Sequence, residues 1–442
     1  MSLTKADLKV FYNTLKGDDP LQNPEQDALY VPRLQHSPGG DPIQRLRRHI
    51  DLADSSSVSL LTGFRGNGKT TELHRLKHGL ENDGAHVIYL DMDNYVHDTQ
   101  PLDISELLLA LLAALSEELS ARHGLDALSE SRWQRMVDFL NTDLEFSELQ
   151  LSAKLPGAGA RLGVKLSQEP QLKKLVRERL ANHVSTLFEQ ANGFIVDAVS
   201  ALREQTGNPD LKVAILVDSL EHIRGPINGA DAVYKSILDT FSTQGERLHF
   251  NAAHLVYAVP PILSLHANSA GLNIAGKLLT MWPNIHVCDR HQDDRPDADG
   301  LAIMREVIGR RFPRWRELVP EAELDLVAWH SGGDLRDFFR MLRELLVRAD
   351  LDAVAIPPFD AGQVRQVLAE FRNQLRLTLT RALSARMREI RRSKQLNTAD
   401  DADYEPIMRL LDSNLVMNYQ NGEPWFDIHP LLRDDIDAAE PA

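Results

Sequence analysis

Gly63, Gly68, Lys69 and Thr70 stand at the spacing G-x-x-x-x-G-K-T inside the segment SVSLLTGFRGNGKTTELHRLKHGL. These residue types at this spacing suit one kind of chemistry, the cradling of a polyphosphate. Glycines let backbone N–H groups turn inward without a Cβ in the way, and the helix that starts at the lysine adds its positive N-terminal end. Lys69 is placed to reach the β and γ phosphates, and the Thr70 hydroxyl to ligate a largely water-bound Mg²⁺. The expected cradle runs from Gly63 through Arg65, Gly66, Asn67, Gly68, Lys69 and Thr70 to Thr71, and its expected ligand is ATP with Mg²⁺.

Such a loop needs a carboxylate at the end of a neighbouring buried strand, to serve the metal and the attacking water. The run KVAILVDSLEHI supplies one. Val213 to Val217 are all apolar, as in a strand covered on both faces, and Asp218 ends the run. Asp218 is therefore assigned to Mg²⁺. Glu221, three residues on, is the candidate for polarising water; its other reading is a solvated acid at a helix start. Lys69, Asp218, Glu221 and Arg336 (below) are the catalytic candidates.

These residues must be carried by a sheet. Apolar runs at His86–Met92, His254–Pro260 and Asn284–Asp289 join the loop strand and the Asp218 strand to make five. Their alternation with helical segments predicts an α/β fold with a five-stranded, mainly parallel P-loop sheet, to which the family resemblance given below adds a helical lid and a C-terminal winged-helix-like domain. The expected boundaries are 1–50 for an N-terminal helix and linker, 51–295 for the core with an insertion at about 94–211, 296–350 for the lid and 351–442 for the C-terminal domain.

Composition narrows the classes further. The chain has 442 residues, 43% of them apolar, enough for two or three domains with real cores. It has no apolar run of the length a membrane helix needs and no signal-like start, so a cytoplasmic protein without a membrane partner is expected. The single cysteine, Cys288, excludes an intramolecular disulfide and any cysteine-based zinc site, and the histidines show no metal-ligand spacing. A net charge of -15 argues against a surface that grips nucleic acid everywhere. Arg372, Arg376, Arg381, Arg386, Arg388, Arg391, Arg392 and Lys394 nevertheless crowd one stretch with only Glu389 against them.

With these motifs in place, the sequence resembles the AAA+ and STAND ATPases, in particular their origin-recognition-like branch and bacterial ATPases bearing a GxRGxGKTTEL-type loop. ALYVPRLQHSPGGDPIQRLRRHI resembles the linker that wraps the adenine in such proteins, which makes Tyr30, Val31 and Pro32 candidates for the base, or alternatively a hydrophobic staple. SGGDLRDFFRMLRELLVRA resembles the lid helix bearing the sensor 2 arginine, and the resemblance assigns that role to Arg336, the other reading being a surface ion pair. Two departures stand out. The strand ending at Val259 and Pro260 lacks the polar sensor of the family and offers only Ser264. No arginine lies between Pro260 and Asn284, where a finger acting in trans is commonly carried; Lys277 is there, and Arg247, Arg290 and Arg295 are the alternatives.

Outside the core, SELQLSAKLPGAGARLGVKLS reads as a β-hairpin presenting Lys154, Arg161 and Lys165, either a DNA or subunit contact or a plain cover. Asn421 and Gly422 mark a second hairpin, with Trp425, Phe426, Ile428 and a structural His429 on its far arm. The expected function is an ATP-hydrolysing switch, a homo-oligomer in the ATP state, which controls self-assembly or a partner effector protein; the resemblance suggests defence against phage or mobile DNA. The alternative is a DNA-binding remodelling or loading ATPase, with DNA taken up by the C-terminal domain or the insertion hairpin.

Overall fold

The structure, a computed structural model, describes residues 3–17, 20–33, 40–143, 168–226, 229–267, 278–290, 295–349, 356–396 and 404–438. The runs of branched and apolar residues form five strands: β1 (Ser57–Gly63), β2 (His86–Asp91), β3 (Val213–Asp218), β4 (His254–Ala258) and β5 (Leu278–Trp282). They make one sheet in the order β2-β3-β4-β1-β5. The pairs β2·β3, β3·β4 and β1·β4 are parallel, so these strands end at one edge. Every residue of β1, β3 and β4 is buried, the burial expected of a sheet covered on both faces. Leu60 and Val217 both pair with Tyr257, which puts Asp218 level with Leu61 across β4, two strand spacings or about 10 Å away.

The fifth strand corrects the sequence reading. Asn284–Asp289 is not a strand; β5 lies just before it and Pro283 separates the two. The backbone after Pro283 finds other partners: Asn284 N donates to Asn418 O (2.9 Å), Ile285 N to Gly333 O (3.2 Å), and Asp297 N to Val287 O (2.9 Å). Alternating apolar residues there bury into helices instead, since Ile285 and Val287 sit in a core with Phe11, Trp315 and Phe338.

The chain forms two compact units. One contains Ile43–Thr62 and Leu76–Met281, and so most of the sheet. In it the helix Ile104–His123 begins at an Asp103/Glu106 capping box and ends at Gly124 in the left-handed conformation. Glu106 is only 3% exposed and is held by Lys173 (3.0 Å) and Arg177 (2.9 Å) of the helix Pro170–Leu180, which ties the insertion's helices together. The insertion hairpin read from sequence, and Lys277, lie outside the described residues.

The other unit contains Met1–Pro42, Gly63–Arg75 and Trp282–Ala442. Its core gathers residues from the helices Lys5–Thr14, Ala298–Arg311, Glu321–His330, Leu335–Val347 and Ala361–Arg376. The C-terminal hairpin forms as expected, from β6 (Val416–Asn421) and β7 (Glu423–Ile428) turning at Gly422, whose φ is +113°. His429 is fully buried and accepts at Nδ1 from Leu431 N, a structural role. The arginine-rich stretch is less open than its sequence suggests. Arg372 donates to Asp435 (2.8 Å) and Arg391 to Asp437 (2.8 Å), both on the helix Arg433–Ala438, while Arg386 pairs with Glu389 and Lys394 with Asp427. Among the described residues no helix is long and apolar enough to cross a membrane.

Candidate nucleotide-binding site

The loop after β1 has the shape that its glycines allow. Gly66 and Gly68 take φ of +93° and +88°, values that side-chain-bearing residues rarely adopt. A Cβ on Gly63 would lie 2.6 Å from Trp282 O, whereas one on Gly68 would meet nothing within 4 Å. The loop is thus packed tightly at its start and open at the residue preceding Lys69. The helix Lys69–Asn82 starts there, so the positive end of its dipole lies at the loop. Lys69 is 4% exposed and its Nζ donates to Gly63 O (3.0 Å) and Phe64 O (2.9 Å), curled back over the loop. That is a cradle able to take an anion: backbone donors, open space at Gly68 and a lysine at its rim.

The rest of the loop is pinned from outside. Asn67 is buried; its Nδ2 donates to Trp282 O (2.8 Å) and its carbonyl accepts from Trp282 Nε1 (2.9 Å) and from Arg33. The Asn67 side chain is therefore a brace, and its backbone is what remains for phosphate. Thr71 Oγ1 accepts from Leu21 N (3.2 Å). Thr70 is half-buried at the second position of the helix.

Arg336 lies at the same loop. It sits in the first turn of the helix Leu335–Val347, which Asp334 caps by accepting from Asp337 N (2.9 Å). A Cβ on Gly66 would fall 2.8 Å from Arg336 Cβ, so the arginine rests directly on the loop's backbone. Its Nε is buried and has no hydrogen-bond partner among the described residues. An orphaned guanidinium nitrogen beside a glycine-lined opening fits a phosphate oxygen, which accepts from arginine readily. Burial and the neighbouring Asp337 carboxylate push the Asp334 acid up to about 7.

The linker residues are more buried than a base contact alone requires. Val31 packs in the core with Leu3, Phe11 and Ile285, Pro32 is exposed, and Tyr30 donates its hydroxyl to Glu72 (3.2 Å). Glu72 in turn accepts from Arg75 (2.7 Å), which also grips Asp41. Burial, opposed by Arg75 and Arg33, raises the Glu72 carboxyl, and burial together with Glu72 raises the Tyr30 phenol. This network fastens the linker to the loop's helix. It was missed in the sequence, where Arg33, Asp41, Glu72 and Arg75 look like scattered charges; only the adjacency of Arg33 to Tyr30–Pro32 pointed to it.

At the sheet edge, within the other unit, Asp218 is 1% exposed and accepts from Ser219 N (2.8 Å) and from the Tyr89 hydroxyl. Burial and the Asp218 carboxylate raise the Tyr89 phenol, which keeps it a donor. Ser219 takes φ of +73°, uncommon for a residue with a side chain, and donates its hydroxyl to Asp91 (2.7 Å). That bend starts the short helical turn Leu220–His222, which bears the half-buried Glu221. No group of three or more His, Cys, Asp and Glu able to hold a metal occurs among the described residues. Of the residues considered in place of the family's sensor and finger, Ser264 donates to Pro261 O (2.7 Å), Arg247 bonds Gln244, and Arg290 faces Glu423 at 3.5 Å.

A five-stranded sheet in the order β2-β3-β4-β1-β5, with a glycine-lined loop leaving β1 and an aspartate ending β3, is an α/β arrangement typical of P-loop folds. Structural comparison returns the following similar chains, among others. The Aeropyrum pernix ORC2 protein, solved with ADPNP and ADP, matches with a TM-score of 0.37 and 12% identity, covering 93% of this chain and 98% of its own. The A. pernix ORC1 protein in complex with DNA gives 0.34 and 15%, covering 90% and 92%. The Thermotoga maritima RuvB Holliday junction branch migration motor gives 0.32 and 11%, covering 90% and 95%. No protein-family model and no curated protein sequence matches the chain.

Proposed function

We propose that the protein binds and hydrolyses ATP at the loop Gly63–Thr71 and uses nucleotide state to control its C-terminal region. The observation that supports this best is the convergence of three features in one unit: the open, positive-φ Gly68, the Lys69 ammonium curled over the loop, and the orphaned Arg336 Nε resting on Gly66. In this reading Lys69 moves from the loop carbonyls to the β and γ phosphates, and Arg336 bonds the terminal phosphate from the lid helix. Tyr30 and Val31 lie beside the base. Glu221 orients water. Mg²⁺ bound with the triphosphate offsets its charge, and Thr70 and Asp218 are the residues proposed to hold it. The output is self-assembly of the chain or control of a partner effector, since a ligand shifts a lid only by its differential affinity for the closed state.

The experiment is calorimetric titration with ATP combined with phosphate release and solution scattering, on the parent and Arg336→Ala. The variant is expected to keep ATP affinity within about tenfold, because Lys69 and the backbone remain, while turnover falls about 100-fold, the usual cost of one lost oxyanion donor. It should also lose the ATP-dependent compaction of the parent. A parent that neither binds nor hydrolyses ATP overturns the reading, and a variant with parental turnover removes Arg336 from it.

A second reading, a DNA-binding remodelling or loading ATPase, is supported by the exposed Arg381 and Arg392 on the helix Arg381–Ser393, which precedes the C-terminal hairpin. It predicts duplex affinity that falls steeply with salt and ATP turnover stimulated by DNA. Filter binding from about 50 to 200 mM salt checks this; no binding at the low end excludes it.

A further inference from the structure

The C-terminal hairpin and the turn that leads into it meet the glycine loop, the turn by a hydrogen bond and the hairpin by a ring contact. Asn414, just before β6, donates from Nδ2 to Arg65 O (3.4 Å) and to Asp334 Oδ2 (3.3 Å). Asn418 on β6 donates to Trp282 O (3.3 Å), the carbonyl that Asn67 also uses. Phe426 on β7 faces Phe64 with ring centroids 6.5 Å apart. Asp334, fully buried, is the cap of the helix that carries Arg336 two residues later. One amide thus touches both the loop and the cap of the arginine-bearing helix, on either side of the Gly66–Arg336 contact.

We infer that Asn414 is a positioning residue that couples phosphate occupancy of the loop to the C-terminal hairpin, holding Arg65 and Asp334 in register so that movement of either is transmitted to β6 and β7. This rests on the nucleotide reading above. The physical reason is directness: a ligand that draws the loop backbone or Arg336 inward must stretch or break the two bonds of a single side chain rooted at the hairpin. Backbone shape alone would explain an asparagine here, since Asn414 has φ of +54° and tops the helix Tyr404–Asp412. It does not explain why the amide is aimed at the loop.

Asn414→Gly separates the two roles, because glycine keeps the left-handed backbone and removes only the amide. Hydrogen exchange of the amides in 415–428 is measured with and without ATP, beside calorimetry on the same samples. In the parent ATP is expected to change exchange at the hairpin by about tenfold, and in Asn414→Gly by less than about twofold, with ATP affinity kept within about threefold. An equal ATP effect in parent and variant overturns the inference, as does a parent that binds ATP without any change at the hairpin. A parent that does not bind ATP overturns both this and the nucleotide reading. Should the glycine variant fold poorly, Asn414→Ala removes the amide without setting a second carboxyl against Asp334, at a left-handed backbone cost of about 1 kcal/mol, and the same loss of response is expected.

Discussion

Lys69→Ala is expected to weaken ATP binding about 100-fold, or about 3 kcal/mol, the scale of charged hydrogen bonds lost to a phosphate. The fold should survive. The Lys69 ammonium donates to Gly63 O and Phe64 O, and Gly63 ends β1, whose place in the sheet is set by its own strand pairing rather than by that ammonium. Calorimetry reports the affinity, and thermal unfolding should move by no more than about 1 kcal/mol. Unchanged affinity would mean that the loop is not the phosphate site, and the functional reading would fall with it.

Gly333→Ala is expected to have the largest effect on stability. A Cβ there would lie 1.7 Å from Ile285 O and 2.7 Å from Ile285 C, backbone atoms held by the hydrogen bond from Ile285 N to Gly333 O. The φ of +72° adds a left-handed penalty of about 1 kcal/mol, and the collision adds several more, so a loss above about 4 kcal/mol follows. Gly84→Ala serves as a control: its φ is +88° but a Cβ would meet nothing within 4 Å, so only the left-handed penalty of about 1 kcal/mol applies. Thermal unfolding distinguishes them. A Gly333→Ala variant that melts with the parent would show that the close approach of the two backbones is not maintained. Because Asp334 and Arg336 follow at once, the same substitution should also uncouple the arginine from the loop.

What could be read in the sequence was what is local. The spacing Gly63…Gly68-Lys69-Thr70 announces a loop with turns that glycine permits, and Val213–Val217 is apolar enough to announce a buried strand with Asp218 at its end. The helix start that places Arg336 in a first turn was legible because Gly332, Gly333 and Asp334 are helix-start chemistry. The failures are non-local. Ile285 and Val287 alternate as in a strand, yet their backbone is partnered by the distant Gly333 and by Asp297 rather than by a neighbouring strand. The arginines of 372–394 seemed unopposed until the helix Arg433–Ala438 folded Asp435 and Asp437 against them. Nothing around Asn414 in sequence hints that its amide reaches a residue 349 positions earlier.

That separation bears on when the molecule can first work. Asn67 is braced by Trp282, 215 residues downstream, and Trp282 is itself held by Asn418, a further 136 along. A chain emerging from the ribosome has its glycine loop long before it has these braces, and closing such long loops is slow because the entropy is lost before the bonds form. On the proposed reading, tight capture of a triphosphate therefore waits for these later segments, and a truncated product lacking β6 and β7 would carry the motif intact and yet leave its loop without support.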